Sequence, residues 1–362
     1  MSITIEQIRA ALRGLTDAAS GVDVGATVKD RDIQIEGDAA RVRLALGYPS
    51  QDAARDLATR AQAALAAAGV RADIAIDGRA GVHAVQRGLK PLPNVRNIIA
   101  VASGKGGVGK STTAVNLALA LSAQGAQVGV LDADIYGPSV PTMLGISGKP
   151  ESLDNKSMEP LVGHGIQANS IGFLIDADSP AIWRGPMVTQ ALEQLLRQTN
   201  WRDLDYLIVD MPPGTGDVAL TLAQKVPVVG AVIVTTPQDI ALLDARKGLR
   251  MFQKVEVPIL GIVENMAIHV CSNCGHAEHI FGEGGGQRMA EQYTVPWLGS
   301  LPLELAIRES TDAGAPTVVS APDSEAAKRY RDIAIKLAAG VAALPRDMAG
   351  RMPSVVVQQR PS

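Results

Sequence analysis

The chain has 362 residues, of which 46% are hydrophobic and 20% are charged, a composition typical of globular proteins large enough for two domains. Its 34 basic and 37 acidic residues give a net charge of −3, which does not favour binding to nucleic acid through bulk positive charge. The sequence shows neither an apolar run of membrane-spanning length nor the apolar core of a signal peptide near its start. We therefore expect a cytoplasmic protein with no membrane and no nucleic-acid partner.

The first 77 residues show the pattern of a small α+β domain. A helix, two alternating strands around a turn, an alanine-rich helix and a last strand are predicted at 3–15, 32–36, 40–46, 51–68 and 70–76. Residues 78–95 are rich in glycine, proline and basic residues and have no periodic pattern, which predicts a linker.

From residue 96 to about 344, short apolar segments alternate with segments of helical spacing. Strands are predicted at 97–102, 127–132, 206–210, 229–235, 258–263 and 295–299. Helices are predicted near 111–124, 187–199, 217–225, 238–254, 284–293 and 323–344. This alternation predicts an α/β domain, namely a mostly parallel sheet with helices on both faces and ligand sites at the carboxyl ends of its strands. The tail, residues 345–362, is expected to fray.

The first strand of this second domain leads into a glycine-rich loop and then into a helix. The loop reads GKGGVGKST, which is a P-loop in its usual strand–loop–helix context. Glycines let backbone N–H groups turn inward around phosphates, and the helix N-terminus adds further donors. We expect Lys110 to reach the β- and γ-phosphates and the Ser111 hydroxyl to bind Mg²⁺. The predicted nucleotide-binding residues of the loop are Gly104, Lys105, Gly106, Gly107, Val108, Gly109, Lys110, Ser111 and Thr112.

Acidic residues end two of the predicted strands. Leu207-Ile208-Val209-Asp210 fits a Walker B strand, in which the aspartate holds Mg²⁺, commonly through a water molecule. The loop from Asp210 to Asp217 contains two prolines and two glycines and can respond to a γ-phosphate as switch loops do. Asp132 and Asp134 are two residues apart at the end of a strand, so their carboxylates point to the same face.

The preferred base is inferred from Asn265. P-loop proteins that bind guanine usually carry Asn-Lys-x-Asp, and the sequence has no such run. Asn265 follows the strand at 258–263, and its amide can both donate to and accept from the edge of adenine. We therefore predict ATP rather than GTP.

The only two cysteines of the chain, Cys271 and Cys274, form a C-x-x-C pair shortly after Asn265. In a reducing compartment such a pair is more typical of metal binding or redox chemistry than of a structural disulfide. Clusters and structural zinc sites normally need four protein ligands. Two arrangements remain open: two copies of the chain each give two thiolates about a two-fold axis, or His276 and His279 complete a zinc site within one chain.

Four stretches together resemble the Mrp/ApbC family of iron–sulfur cluster carrier ATPases, within the MinD/ParA-like group with a deviant Walker A loop. They are GKGGVGKST, DADIYGPSVP, DMPPGTGD and the block that runs from Asn265 through the cysteine pair to Phe281. The resemblance implies a P-loop NTPase fold and catalytic roles for three residues. Lys110 would hold the phosphates, Lys105 would reach across a dimer to the partner's nucleotide, and Asp134 would position the attacking water.

The same resemblance implies the ligands and partners of the protein. Asn265 would contact adenine, and Cys271 and Cys274 of two subunits would hold a bridging 4Fe–4S cluster in a homodimer. ATP with Mg²⁺ would be hydrolysed slowly, and the cluster would pass from cluster donors to apo iron–sulfur proteins. We assign Asp134 to orienting the water or acting as a base, and Asp132 to a supporting role.

The order of elements in residues 1–77 resembles the small domain fused in front of many Mrp-type proteins. That domain usually carries Asp-Pro-Glu near its start and often a cysteine after its second long strand. The matching positions here read Thr16-Asp17-Ala18 and Tyr48-Pro49-Ser50, so we interpret the domain as a docking or regulatory module rather than a metal site.

Two other functions are compatible with parts of the sequence. A partitioning or cell-division switch of the MinD/ParA type would use the same P-loop, but it would leave Cys271 and Cys274 without a role. A nucleotide-gated zinc-binding protein would use the cysteines without a cluster.

Overall fold

The structure is a computed structural model that describes residues 3–175, 185–271 and 273–347. Its first elements, in chain order, are α1 (Ile5–Leu12), β1 (Ile33–Glu36), β2 (Ala39–Ala45), α2 (Gln51–Ala67) and β3 (Arg71–Asp77). The three strands form one sheet in the order β1-β2-β3, in which β1 is antiparallel and β3 is parallel to β2. The elements and the β1–β2 hairpin follow the order that the sequence predicts.

In this front domain, the local sequence explains where α2 begins and which face of the sheet is buried. Ser50 begins α2 as an N-cap, because its hydroxyl accepts a hydrogen bond from Ala53 N at 3.2 Å. Along β2, alternate residues such as Val42 and Leu44 are buried, while Arg41 and Arg43 are exposed. The front sheet therefore has one covered and one open face.

The second part of the chain is built on a larger sheet. The described residues of this part form ten strands, which are β4 (Val95–Ser103), β5 (Val128–Asp132), β6 (Leu161–Gly163), β7 (Ile166–Ser170), β8 (Leu204–Asp210), β9 (Gly230–Thr235), β10 (Ile259–Glu264), β11 (His269–Val270), β12 (Ala277–Glu278) and β13 (Trp297–Ser300). Eight of them form one sheet in the order β13-β10-β9-β4-β8-β5-β7-β6, while β11 and β12 form a separate hairpin. Neighbours in the large sheet are parallel except for the antiparallel β6–β7 pair.

The helices that follow β4 are α3 (Lys110–Ala123), α4 (Val140–Met143), α5 (Gly185–Gln198), α6 (Asp217–Lys225), α7 (Asp239–Lys254), α8 (Gly285–Tyr293), α9 (Leu305–Asp312), α10 (Thr317–Ser320) and α11 (Glu325–Ala342). Side chains of β4 alternate between two cores. Ile99 and Val101 pack in the core that includes α3 and α11, and Ile98 and Ala100 pack in the core that includes α5, α7 and α8. The predicted α/β fold, with a mostly parallel sheet covered on both faces, is confirmed.

The sequence does not predict β6, β7, the β11–β12 hairpin or the helices α4, α9 and α10. In β7 (Ile166-Gln167-Ala168-Asn169-Ser170), polar residues interrupt the apolar run, and Asn169 and Ser170 are nevertheless buried. Strands of two or three residues and helices of four residues are too short to show a period. Tertiary contacts rather than local pattern decide these elements.

The front domain contacts the large sheet domain through Gln124, at the end of α3. Its side-chain carbonyl accepts hydrogen bonds from Ser50 Oγ at 2.9 Å and from the backbone N of Asp52 at 3.1 Å. Its amide donates to the Asp52 carboxylate at 2.7 Å. One glutamine therefore bonds to the cap and the first turn of α2.

The predicted linker, residues 78–95, contacts the other end of the described chain. His83 forms a bridge with Arg346, Ala84 N donates to the carbonyl of Pro345 at 2.9 Å, and Asp347 N donates to that of Val82 at 3.0 Å. Residues 348–362 of the predicted tail lie outside the described residues. Among the residues that are described, no helix is both long and apolar enough to cross a membrane.

Candidate functional site

The predicted P-loop lies at the carboxyl end of β4, in the middle of the large sheet. The strand is flanked by β9 on one side and β8 on the other, and α3 begins at Lys110 directly after the loop. The N-terminus of α3 carries no side-chain cap, so its first N–H groups remain available to an anion. This arrangement fits the binding of a phosphate chain.

Two glycines of the loop are required by close neighbours. A Cβ on Gly104 would overlap the backbone of α7 at Asp244 and Ala245. Gly109 has a φ of 77°, and a Cβ there would overlap the side-chain amide of Asn265. The loop is therefore packed directly against α7 and against the end of β10.

Lys110 is buried and directs its ammonium towards the end of β8. Its Nζ donates a hydrogen bond to Asp210 Oδ1 and lies 3.1 Å from Ser111 Oγ. The second oxygen, Asp210 Oδ2, is buried and has no hydrogen-bond partner among the described residues. A buried carboxylate oxygen without a hydrogen-bond partner lowers the free energy of unfolding by about 1–3 kcal/mol, and a bound ligand would remove this cost. Because the Lys110 ammonium contacts both the Asp210 carboxylate and the Ser111 hydroxyl, these two groups fit a Mg²⁺ site with a phosphate ligand.

Asp132 lies opposite Asp210 in the register of β5 and β8, and it holds the loop that follows β5. Its carboxylate accepts hydrogen bonds at 3.0–3.1 Å from the backbone N of Asp134, Ser139 and Val140 and from Ser170 Oγ. Burial, followed by the charge of Asp210, raises the pKa of the Asp132 carboxyl, against the opposing effect of its N–H donors. Asp132 thus anchors the loop, which is consistent with its expected supporting role.

Asp134 is half-buried and lies near the same charged groups. Desolvation raises the pKa of its carboxyl, the charge of Lys110 opposes this shift, and the charge of Asp210 adds to it. The carboxylate therefore lies within electrostatic reach of the P-loop lysine. Asp217, by contrast, is exposed at the start of α6.

The loop after β8 is attached to the P-loop strand by backbone hydrogen bonds. Met211 N donates to the carbonyl of Val101, and Gly214 N donates to the carbonyl of Ser103, both at 3.0 Å. The predicted switch loop between Asp210 and Asp217 therefore begins at the end of β8 and is hydrogen-bonded to β4, the strand that leads into the phosphate-binding loop.

Lys105 follows Gly104 in the loop. Its carbonyl accepts a hydrogen bond from Ser103 Oγ at 2.8 Å, which ties its backbone to the end of β4. Its ammonium makes no ion pair or hydrogen bond within the described part of the chain. Its positive charge is therefore available to a second molecule.

Asn265 is buried at the end of β10, and its side chain contacts the P-loop rather than solvent. Its Nδ2 donates to the carbonyl of Val108 at 2.9 Å, and its backbone N donates to the carbonyl of Thr235 at 2.7 Å. The amide is thus beside the predicted nucleotide site, with its Oδ1 unengaged by the P-loop. The next residue, Met266, has a φ of 57° and turns the chain towards the cysteine pair.

Cys271 and Cys274 lie at the tip of the β11–β12 hairpin, and both are free thiols. The backbone N–H of Cys274, followed by that of Asn273, lowers the pKa of the Cys271 thiol by hydrogen bonding. Gly275 N also donates to the carbonyl of Cys271 at 2.9 Å, which closes a tight turn. A turn whose N–H groups face sulfur stabilises thiolate, the form that binds soft metal centres.

The two histidines of the zinc alternative are not brought together with the cysteines. His279 Nδ1 donates to the carbonyl of Ala267 at 2.7 Å, so it anchors the hairpin to the chain after Asn265. His276 is exposed. Within residues 3–175, 185–271 and 273–347, no group of three or more His, Cys, Asp or Glu side chains is placed to hold a metal ion. The described residues therefore do not support a zinc site formed by Cys271, Cys274, His276 and His279 of one chain.

Sequence reasoning missed Ser170, Ser139 and Glu264 as supports of the site. Ser170 holds Asp132 from β7, a strand that the pattern does not predict. Glu264 is buried at the end of β10 and accepts a hydrogen bond from Gly286 N at the start of α8. The local sequence marks Glu264 in one way: it is an acidic residue at the end of an apolar strand, like Asp132 and Asp210.

Comparisons with known proteins agree with this geometry. Residues 94–338 match the family described as NUBPL iron-transfer P-loop NTPase, and residues 5–76 match the family described as iron–sulfur cluster assembly protein. A similar protein from Salmonella typhimurium, named iron–sulfur cluster carrier protein, is 63% identical over 249 residues, covering 68% of each chain. The mouse protein named iron–sulfur cluster transfer protein NUBPL is 55% identical over 255 residues, covering 69% of this chain and 80% of its own.

Solved structures show the same fold. The nucleotide-binding protein from Archaeoglobus fulgidus, solved in complex with ADP, is 38% identical, with a TM-score of 0.55 over 61% of this chain and 87% of its own. The cell-division ATPase MinD from Pyrococcus furiosus is 23% identical, with a TM-score of 0.50 over 67% of this chain and 98% of its own, and it supports the fold alone. The predicted P-loop fold and the resemblance are therefore confirmed, and the chain belongs to the family of NUBPL iron-transfer P-loop NTPases.

Proposed function

We propose that this protein is a homodimeric ATPase that carries an iron–sulfur cluster as cargo and transfers it to apo-proteins. One observation carries the proposal: the exposed cysteine hairpin begins a few residues after Asn265, whose amide contacts the P-loop carbonyl of Val108 at 2.9 Å. A nucleotide-binding loop and a metal-binding turn are therefore adjacent along one short segment. The names of the relatives from Salmonella typhimurium and mouse support the same cargo.

The nucleotide half of the function rests on Lys110, Ser111 and Asp210. The ammonium of Lys110 binds the β- and γ-phosphates when it leaves Asp210, and the Ser111 hydroxyl and Asp210 carboxylate would hold Mg²⁺. Bound there, the ion would neutralise charge that develops on the phosphate oxygens. Asp134 orients the attacking water, and Asn265 binds the adenine edge. The ADP complex of the relative from Archaeoglobus fulgidus supports a bound adenine nucleotide.

The cargo half needs a second copy of the chain. One chain supplies two thiols, Cys271 and Cys274, whereas a 4Fe–4S cluster is held by four protein ligands. A two-fold axis through the hairpin tips brings two such pairs together. The ammonium of Lys105, which has no partner within the described part of its own chain, is available to the nucleotide of the other copy. Two incomplete half-sites therefore become complete in the same dimer.

Coupling between the halves follows from backbone connections. Asn265 contacts the P-loop, Met266 turns the chain, and the carbonyl of Ala267 accepts the hydrogen bond of His279 in the hairpin. A change in the position of the Asn265 amide on nucleotide binding therefore moves the segment that anchors the cysteine turn. The bound nucleotide in this way biases how the dimer holds its cargo.

Anaerobic reconstitution with iron and sulfide tests the proposal. The proposal predicts brown dimers with about four iron and four sulfide per dimer, a content set by the cluster type. Cys271→Ala and Cys274→Ala should each abolish the colour, whereas Asn273→Ala, a neighbouring change that leaves both thiols in place, should not. Transfer is then measured as activation of an apo 4Fe–4S enzyme. ATP should change the rate of this activation with the wild type but not with a Lys110→Met variant.

Two results would refute this function. Colourless protein with one zinc per chain after anaerobic isolation would show a zinc-binding protein instead. A monomer that retains an iron–sulfur cluster with its own side chains alone would remove the need for pairing.

A further inference from the structure

A basic cavity lies where the open face of the front sheet meets the linker and the last described residues. Its volume is about 490 Å³. The lining includes two acidic residues, Asp32 and Asp77, and five basic ones, which are Lys29, Arg31, Arg43, Arg79 and Arg346. Because the chain as a whole has a net charge of −3, this excess of positive charge is a local feature.

The two acids of the cavity already have partners. Asp77 forms an ion pair with Arg79, with an Oδ2–Nη2 distance of 2.7 Å, and Asp32 accepts a hydrogen bond from the backbone N of Lys29 at 3.1 Å. The guanidinium groups of Arg31, Arg43 and Arg346 make no ion pair or hydrogen bond within residues 3–175, 185–271 and 273–347. Three arginines are therefore available to a ligand.

The cavity continues across the open face of the front sheet. A second, smaller cavity shares Arg31, Asp32 and Arg43 with the first and adds Arg41 from β2, whose Nε lies 3.4 Å from Asp73 Oδ2 in an exposed ion pair. Small side chains, Ala45 in the first cavity and Ala75 in the second, let a ligand approach the sheet between the arginines. The basic surface is therefore elongated rather than a pocket for one small anion.

We propose that this basic groove, defined by Arg31, Arg41, Arg43 and Arg346, binds an acidic segment of a partner protein. Guanidinium groups bind carboxylates with two parallel hydrogen bonds, and clusters of arginines recognise acidic motifs in this way. Nucleic acid fits less well, because no aromatic residue that would stack on a base is present among the described residues that line either cavity. This surface is remote in sequence from the P-loop and does not depend on the proposed cluster transfer.

Fluorescence anisotropy with a labelled peptide of alternating glutamate and serine tests the groove on the full chain. A peptide with glutamine in place of glutamate is the uncharged comparison. The double variant Arg31→Glu/Arg43→Glu should weaken binding of the acidic peptide by about tenfold or more, because like charges then face each other. The matched control Arg13→Glu/Arg55→Glu makes the same charge change on two exposed residues of the same domain, one directly after α1 and one on α2, and should change the affinity by less than about twofold.

Three outcomes would overturn the proposal. They are no binding of the acidic peptide at 50 mM salt, equal weakening by both double variants, and tight binding of a single-stranded polyuridine that the acidic peptide does not displace. Equal melting temperatures and equal ATP turnover of the two double variants would show that any loss of peptide binding is local to the groove.

Discussion

Asn265 Nδ2 donates a hydrogen bond to the carbonyl of Val108 at 2.9 Å, and this bond joins the end of β10 to the phosphate-binding loop. Met266, the residue after Asn265, leads into the cysteine hairpin. The buried amide of Asn265 therefore lies between the nucleotide site and the cysteine pair, the two parts of the proposed function.

Replacement of Asn265 by Ala should weaken ATP binding by about tenfold, because one buried amide hydrogen bond contributes roughly 1–1.5 kcal/mol. If the amide also binds the adenine edge, the preference for ATP over GTP should narrow in the variant. Isothermal titration calorimetry with both nucleotides measures this. Equal weakening of ATP and GTP would show that Asn265 supports only the loop and does not bind the base.

Replacement of Lys110 by Met should abolish ATP turnover and also destabilise the nucleotide-free protein. The variant leaves the Asp210 carboxylate buried without its ammonium partner, and breaking a buried ion pair costs about 3–5 kcal/mol. Chemical denaturation measures the loss. The second change Asp210→Asn, made in the Lys110→Met protein, should recover much of that stability without recovering turnover; no recovery would mean that the pair is not the source of the loss.

Replacement of Lys105 by Ala should lower turnover by about 100-fold or more, as expected for a cation that acts on transferred phosphate. Mixing this variant with an Asp134→Asn chain that retains Lys105 should restore part of the activity, since each dimer that contains one chain of each kind then has one complete site. Lys149→Ala, an exposed lysine, is the control and should leave turnover unchanged. Absence of restoration in the mixture would contradict action across the dimer.

Replacement of His279 by Ala should leave iron and sulfide content intact but weaken the effect of ATP on cluster release. The reason is that His279 Nδ1 donates a hydrogen bond to the carbonyl of Ala267 and in this way anchors the hairpin. His276→Ala, an exposed neighbour, should have little effect on either measurement. Loss of metal from the His279 variant would instead identify this histidine as a ligand.

The contact between linker and tail should weaken at mildly acidic pH because of His83. This side chain is buried, and its Nδ1 lies 2.9 Å from Asn97 Oδ1, an acceptor because Asn97 Nδ2 donates to Gly81. Burial, with a further contribution from the charge of Arg346, lowers the pKa of His83 below its ordinary 6.5. The unfolded chain therefore binds a proton more readily than the folded chain, so stability is full above pH 6.5 and falls as the pH drops below it.

Denaturation of the wild type and of His83→Gln between pH 5 and 8 measures this effect. The difference in free energy of unfolding between the two proteins should decrease as the pH falls below 6.5. A difference that stays constant over this range would show that His83 keeps the same protonation in both states.

The sequence alone determined the strands and helices with strong periods and the position of the P-loop. Each of these depends on neighbours along the chain: the β-branched run of β4, the glycines of GKGGVGKST and the acid that ends β8 are local signals. Cys271 and Cys274 are likewise identified by spacing alone. Residue type and spacing therefore predicted the fold class and the candidate site residues.

Only the tertiary structure decided how these residues meet. Ser170 contacts Asp132 from β7, a strand that its polar sequence does not predict. Asn265 contacts Val108, which lies 157 positions away in the chain. The same holds for the basic groove, where Arg31, Arg43 and Arg346 come from three separate segments. Such contacts depend on strand order and packing between distant segments, and a periodic pattern contains no information about which distant segment becomes a neighbour.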